Sequence, residues 1–280
     1  MHKLLRTFLP VFAALWLVSC GDKPAEVVKN DTLKENPLMK GLSEEEQEEL
    51  RKIIADIPVP FSLLNQVAEA GLPFHQEFLN PENNVANYNT AEAKAINIGI
   101  YGSDIAYIIA FERLSESGNY LKTIRQLTDD VVIPTAFDES SMKRYEIHAA
   151  NQDSMQSMIY NSYVRIDSTL QSNERFALAT LVVTSGWVES LYLTTQQIGN
   201  QERTESNKLL FDILGDQQEH TDNILSMLSM FPQDSLMTSL ATDVNALKLK
   251  SSPATEYTVD ELTNVTQHIA AMRNKLISIH

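Results

Sequence analysis

Two carboxylates stand in surroundings that do not suit them. Asp104 is the one charge in AINIGIYGSDIAYIIAF (95–111), and Glu189 is the one charge in FALATLVVTSGWVESLYLTTQQIGN (176–200). A carboxyl group taken out of water must be protonated, paired or hydrogen-bonded. At a turn of about 100° per residue, Asp104 falls in one stripe with Asn97, Ile100, Tyr101, Ile108 and Phe111. Glu189 shares its stripe with Val182, Ser185, Gly186, Leu193 and Gln196. Three chemistries follow. The first is a buried network, with the carboxylates accepting from tyrosine hydroxyls or from an arginine such as Arg125, Arg144 or Arg175. The second is a pocket lined by Tyr101, Asp104, Trp187 and Glu189, which would hold a cationic or hydroxyl-bearing ligand. The third is hydrolysis, which needs the two carboxyls within about 10 Å across a cleft.

Other reactive groupings fail on spacing. A di-iron bundle needs Glu-x-x-His pairs, and none of the six histidines has that spacing. His148 follows Glu146 by two positions, which puts them on different helix faces, and Glu219-His220 is adjacent. There is no glycine-rich phosphate loop, no Gly-x-Ser-x-Gly and no His-Glu-x-x-His. The methionines, among them Met155, Met158, Met227 and Met230, have the spacing of core filler. No catalytic residue and no metal ligand is assigned, and no cofactor is expected. The chain is read as not an enzyme. Its net charge of −15 repels phosphates, so no nucleic-acid partner is expected.

The remaining reactive group is a thiol. Cys20 is the single cysteine, and it follows a short basic start (Lys3, Arg6) and an uncharged run from Val11 to Val18. That run has the proportions of an export signal rather than of a membrane span. Leu17-Val18-Ser19-Cys20-Gly21 resembles the lipobox of bacterial lipoproteins. The resemblance implies a diacylglycerol on the Cys20 thiol, cleavage just before it and further acylation of the new amino group. Two or three acyl chains anchor firmly where one binds only marginally. On this reading residues 1–19 are the signal peptide, and the membrane, reached through Cys20, is the first partner. Gly21 in place of an aspartate after the cysteine points, by analogy with enteric lipoproteins, to the outer membrane, with periplasmic or surface face left open.

The elements that would position these groups are helical. Residues 20–42 are polar, carry Pro24 and Pro37, and read as a flexible linker. Residues 43–280 read as a helical domain, with a break near Gly199 at which a second unit could begin. Ser43-Glu44-Glu45-Glu46 is a capping box, and a helix runs from it to Asp56. Further helices are expected at about 61–70, 90–116, 119–131, 134–150, 152–170, 173–198, 202–214, 216–230, 233–250 and 258–278. Gly118 and Gly215 are read as breaks. The fold class is all-α, a multi-helix bundle with two central apolar helices (about 90–116 and 174–198), since a helix without a polar face belongs inside a core or a membrane. Mid-helix glycine costs about 1 kcal/mol relative to alanine, so Gly99, Gly102 and Gly186 predict close helix approach.

INIGIYGSDIAY, LVVTSGWVESLYL and, between them, VIPTAFDE resemble an uncharacterised family of all-helical envelope lipoproteins from Bacteroidota-type bacteria. The likeness covers about residues 90–200. It implies an all-helical body behind a lipid anchor and supplies no activity. The expected role is a non-catalytic scaffold or interaction domain at the cell envelope with a protein partner. The alternative is small-molecule binding in a pocket between the two central helices.

Overall fold

In the computed structural model the described residues are 41–130, 139–148, 150–172, 175–199, 201–205, 207–247, 249–250 and 257–280. They form helices α1 (Glu44–Asp56), α2 (Pro60–Glu69), α3 (Ala91–Ala110), α4 (Ser117–Asp130), α5 (Glu139–His148) and α6 (Gln152–Ser172). These are followed by α7 (Phe176–Ile198), α8 (Lys208–Asp216), α9 (Gln218–Ser229), α10 (Ser235–Ala246) and α11 (Val259–Ile277). No strand occurs among the described residues, all of which belong to one compact unit, Glu35–His280. The all-α bundle is the observed architecture. Cys20, the leader, most of the linker, VIPTAF and the expected Asn173 cap lie outside the described residues.

Local chemistry explains several helix starts. Ser43 Oγ accepts from the Glu46 N–H, and Glu46 returns a bond to the Ser43 N–H at 2.7 Å, so two otherwise orphan donors are satisfied. Thr258 and Glu261 repeat the device at α11. Pro60 opens α2, where its missing N–H costs nothing.

Helices α3 and α7 are the axis, and they pack most extensively on each other. Helices α2 and α4 lie on α3, α6 and α11 lie on both, and α8 joins α7 to the α1, α9 and α10 side. Helix α7 is long and apolar enough to cross a membrane, yet 94% of its apolar window is buried inside the fold. It is a core helix.

The crossing of α3 over α7 depends on glycine. A Cβ at Gly99 would clash with Ser185 Oγ and Val182 O, and would lie 2.8 Å from Gly186 N. Ser103 Oγ then donates across the crossing to Gly186 O (2.9 Å), and Ser185 Oγ donates to Ile96 O (2.8 Å). Gly102 differs: it faces Tyr163 at an ordinary 3.8 Å, so close approach there is not the reason for glycine.

Several expected boundaries move, and the helix expected from about 202 begins only at Lys208. Helix α3 ends at Ala110 instead of near Glu116. Arg113 N–H reaches back to Ile108 O (2.9 Å) and Glu112 N–H to Ile109 O (3.0 Å), a Schellman closure with Glu112 at φ 59°. Glycine is the usual residue there, so glutamate hid the stop. Gly118, read as a break, lies inside the first turn of α4. Gly215 is likewise inside α8, and the chain turns at Gln217.

Candidate functional site

The polar centre is assembled from three helices and one irregular segment. Asp104 comes from α3, Glu189 from α7 and Arg273 from α11, with residues 73–90 folded over them. Asp104 and Glu189 are both 0% exposed, and Arg273 is 7% exposed. Arg273 Nε donates to Glu189 Oε2 at 3.0 Å and its Nη2 to Oε1 at 3.3 Å, a two-pronged pair. Its Nη2 also reaches Phe78 O at 3.5 Å, and its guanidinium carbon sits 4.7 Å from the centre of the Tyr192 ring. Asp104 Oδ2 accepts from Asn80 N–H at 3.2 Å.

The other Asp104 oxygen, Oδ1, has no donor among the protein groups around it. Asp104 and Glu189 instead interact directly, carboxyl to carboxyl. Burial first, and the Glu189 charge second, push the Asp104 carboxyl well above the usual carboxylate range. Burial also pushes Glu189 up, but there Arg273 opposes it through charge and hydrogen bonds. Of the two acids, Asp104 is the one its surroundings push further toward the protonated form, while Arg273 favours charge on Glu189. A proton on Asp104 beside the Glu189–Arg273 pair would leave the cluster neutral, the form in which charges are tolerated out of water.

Around it the polar groups are matched. Asn80 Nδ2 donates to Tyr88 Oη (3.1 Å) and to Asn97 Oδ1 (3.4 Å), and Asn84 Nδ2 donates to Asn80 Oδ1 (2.8 Å). Tyr101 Oη donates to Pro81 O at 2.8 Å. Burial pushes the Tyr101 and Tyr120 hydroxyls up, so they stay neutral. Gln197 and the His75 N–H both donate to Tyr107 Oη.

Of the four residues predicted to line one pocket, the structure brings together Asp104 and Glu189 as a closed pair. Tyr101 is buried beside them with its hydroxyl turned to the backbone of Pro81. Trp187 faces elsewhere: it lines an open groove of about 270 Å³ with Ile54, Ala55, Ile57 to Pro60, Tyr160, Tyr163, Val164 and Val183. Neither carboxylate lines that groove. The cleft that a hydrolytic pair needs is not at these carboxyls, both of which are 0% exposed.

The arginine is not Arg125, Arg144 or Arg175. Arg273 went unnoticed although its position carries a signal. It lies on the buried side of α11 with Leu262, Val265, Ile269, Met272 and Leu276, where a charge requires a partner. Asn80, in a stretch without periodicity, has no comparable signal. Among the described residues no group of three or more His, Cys, Asp or Glu is placed to hold a metal ion.

No protein-family model matches this chain, and comparison with characterised proteins and with solved structures returns no match either. Function must be argued from the chain's own groups.

Proposed function

We propose that this chain is a lipid-anchored protein of the bacterial cell envelope, held at the outer membrane through acyl chains on Cys20, which works by binding a protein partner without catalysis. The observation that carries the interaction role is the groove beside Trp187. Tyr160 and Val164, one turn apart on α6, are 47% and 44% exposed, and they face the Ile57-Pro58-Val59-Pro60 turn across it. Among the described residues no charged side chain lines it. An uncharged, aromatic-edged groove on a chain of net charge −15 suits an apolar segment of a partner rather than a basic one. Exposed apolar surface of this kind marks contact sites.

The test uses the full chain as bait in detergent-solubilised envelopes. A specific partner should be retained by wild type and lost with Tyr160→Asp/Val164→Asp. Equal capture by both would remove the groove from the proposal. Anchoring is tested separately: Cys20→Ser should release the protein from the membrane fraction and abolish incorporation of labelled fatty acid.

A second reading, small-molecule binding in the same groove, is favoured by one detail. The indole N–H of Trp187, a groove residue, is buried and has no acceptor among the described residues. A metabolite panel that raises the unfolding temperature of wild type but not of Trp187→Phe would support it.

A further inference from the structure

The groove beside Trp187 continues past its own walls. Val59, Pro60, Tyr160 and Tyr163 also form one side of a shallow hollow, about 10 Å³, whose other members include Gly102 and Ala106 of α3. That hollow gives Gly102 a reason to be glycine. Mid-helix glycine costs stability relative to alanine, and no close approach offsets the cost here, since a Cβ would meet only the Tyr163 ring at 3.8 Å. A methyl at that position would fit the fold and fill the hollow.

The hydrogen-bonding character of the groove is one-sided. The polar atoms that its side chains bring are the Tyr160 and Tyr163 hydroxyls and the Trp187 indole N–H. All three can donate, and the indole N–H can do nothing else. Trp187 is 3% exposed, and its N–H is a buried donor with no acceptor among the described residues. A segment that suits such a groove brings acceptors and few donors of its own. Proline does this: its carbonyl accepts, it has no backbone N–H to leave unpaired, and proline-rich segments pack into aromatic-lined grooves.

We infer that the partner segment taken by the groove is an extended, proline-rich stretch, with one carbonyl on Trp187 Nε1 and one ring seated toward Gly102. This rests on the groove reading above and gives it a chemistry. A helix is the poorer occupant, because its carbonyls are spent on its own N–H groups. An extended proline segment has no internal hydrogen bonds, so its carbonyls stay open, and it gives up little freedom on docking. The carbonyl reaches the buried N–H as rings at the groove edge give way, and Tyr160, 47% exposed, has the freedom to do so.

The test titrates two uncharged, end-capped peptides of equal length into the full chain by calorimetry. One is oligoproline, and the other is a helix-forming peptide of alanine, glutamine and leucine. Oligoproline should bind and the helical peptide should not. Trp187→Phe keeps an aromatic ring and removes the N–H, so it should weaken oligoproline binding roughly five- to tenfold, the loss of one hydrogen bond. Gly102→Ala should also weaken binding while raising the unfolding temperature, because it adds a better helix former and fills the hollow. A merely structural role would not join a firmer fold to weaker binding. Failure of oligoproline to bind wild type, equal binding of the helical peptide, or unchanged binding in either variant overturns the inference. The groove reading fails separately, through equal partner capture by wild type and Tyr160→Asp/Val164→Asp. A groove that captures a partner but ignores oligoproline therefore removes the proline chemistry alone.

Discussion

The molecule sets two groups of arginine chemistry side by side. In the core, Arg273 is closed around Glu189 and shielded by Tyr192, and burial pushes the neighbouring Asp104 toward its protonated form. Between α5 and α6, Arg144 and Arg165 border a cavity over a buried tyrosine-serine floor. The same side chain does two different things because of what it faces. A guanidinium that meets a carboxylate inside the fold is spent on architecture. Arg144, by contrast, borders an open cavity and has its Nη2 on the Ser141 hydroxyl at 2.8 Å. A buried charged cluster in a helical core is therefore poor evidence for an active site until its partners have been counted.

The contrast is sharpest in stability. Arg273→Met leaves Glu189 buried without its counter-charge and should cost about 3–5 kcal/mol in denaturant unfolding. A loss under 1 kcal/mol would mean that the pair is not what holds α11 to the α3–α7 axis. Next in size, Gly99→Ala forces a methyl into the backbone of α7, and should cost about 1–3 kcal/mol or more by the same measurement. A neutral result would show that the crossing is looser than its geometry states.

A pH experiment comes third. The folded-state value of Asp104 is raised, so its contribution to stability is whole below the ordinary aspartate value of about 4 and declines as pH rises toward the raised value. For one proton the slope is at most about 1.4 kcal/mol per pH unit. Asp104→Asn cannot ionise and still offers a donor to Glu189. Its stability should fall less steeply than wild type as pH rises from acid to neutral. Parallel curves would contradict the raised value. The smallest effect belongs to the other region: Arg144→Met should leave stability within about 0.5 kcal/mol of wild type, while a large loss would make that cavity part of the architecture too.

Much of this was legible before any coordinates, and the failures are specific. The apolar runs around Asp104 and Glu189 announced central helices because a helix without a wet face has one soluble destination. Both carboxylates could be recognised as buried for the same reason. Their partner could not be found by scanning nearby arginines, because Arg273 lies 84 residues from Glu189 and the contact exists only once α11 folds back. Asn80 was hidden because its backbone N–H, not its side chain, meets Asp104. The stop after Ala110 was hidden because glutamate holds a backbone conformation that usually calls for glycine. Trp187 and Glu189 were grouped because both lie in one apolar run. Two positions apart on a helix, they point about 200° away from each other, one to the groove and one to the core.

The most direct test of the closed core cluster is infrared absorption of the folded protein in the carbonyl region of protonated carboxyl groups, at neutral pH, for wild type against Asp104→Asn. A band present in wild type and missing from the variant is the expected result, since Asp104 is the acid pushed further toward the protonated form. Spectra without that band would mean that both acids are ionised, and the neutral, self-contained cluster described here would be wrong.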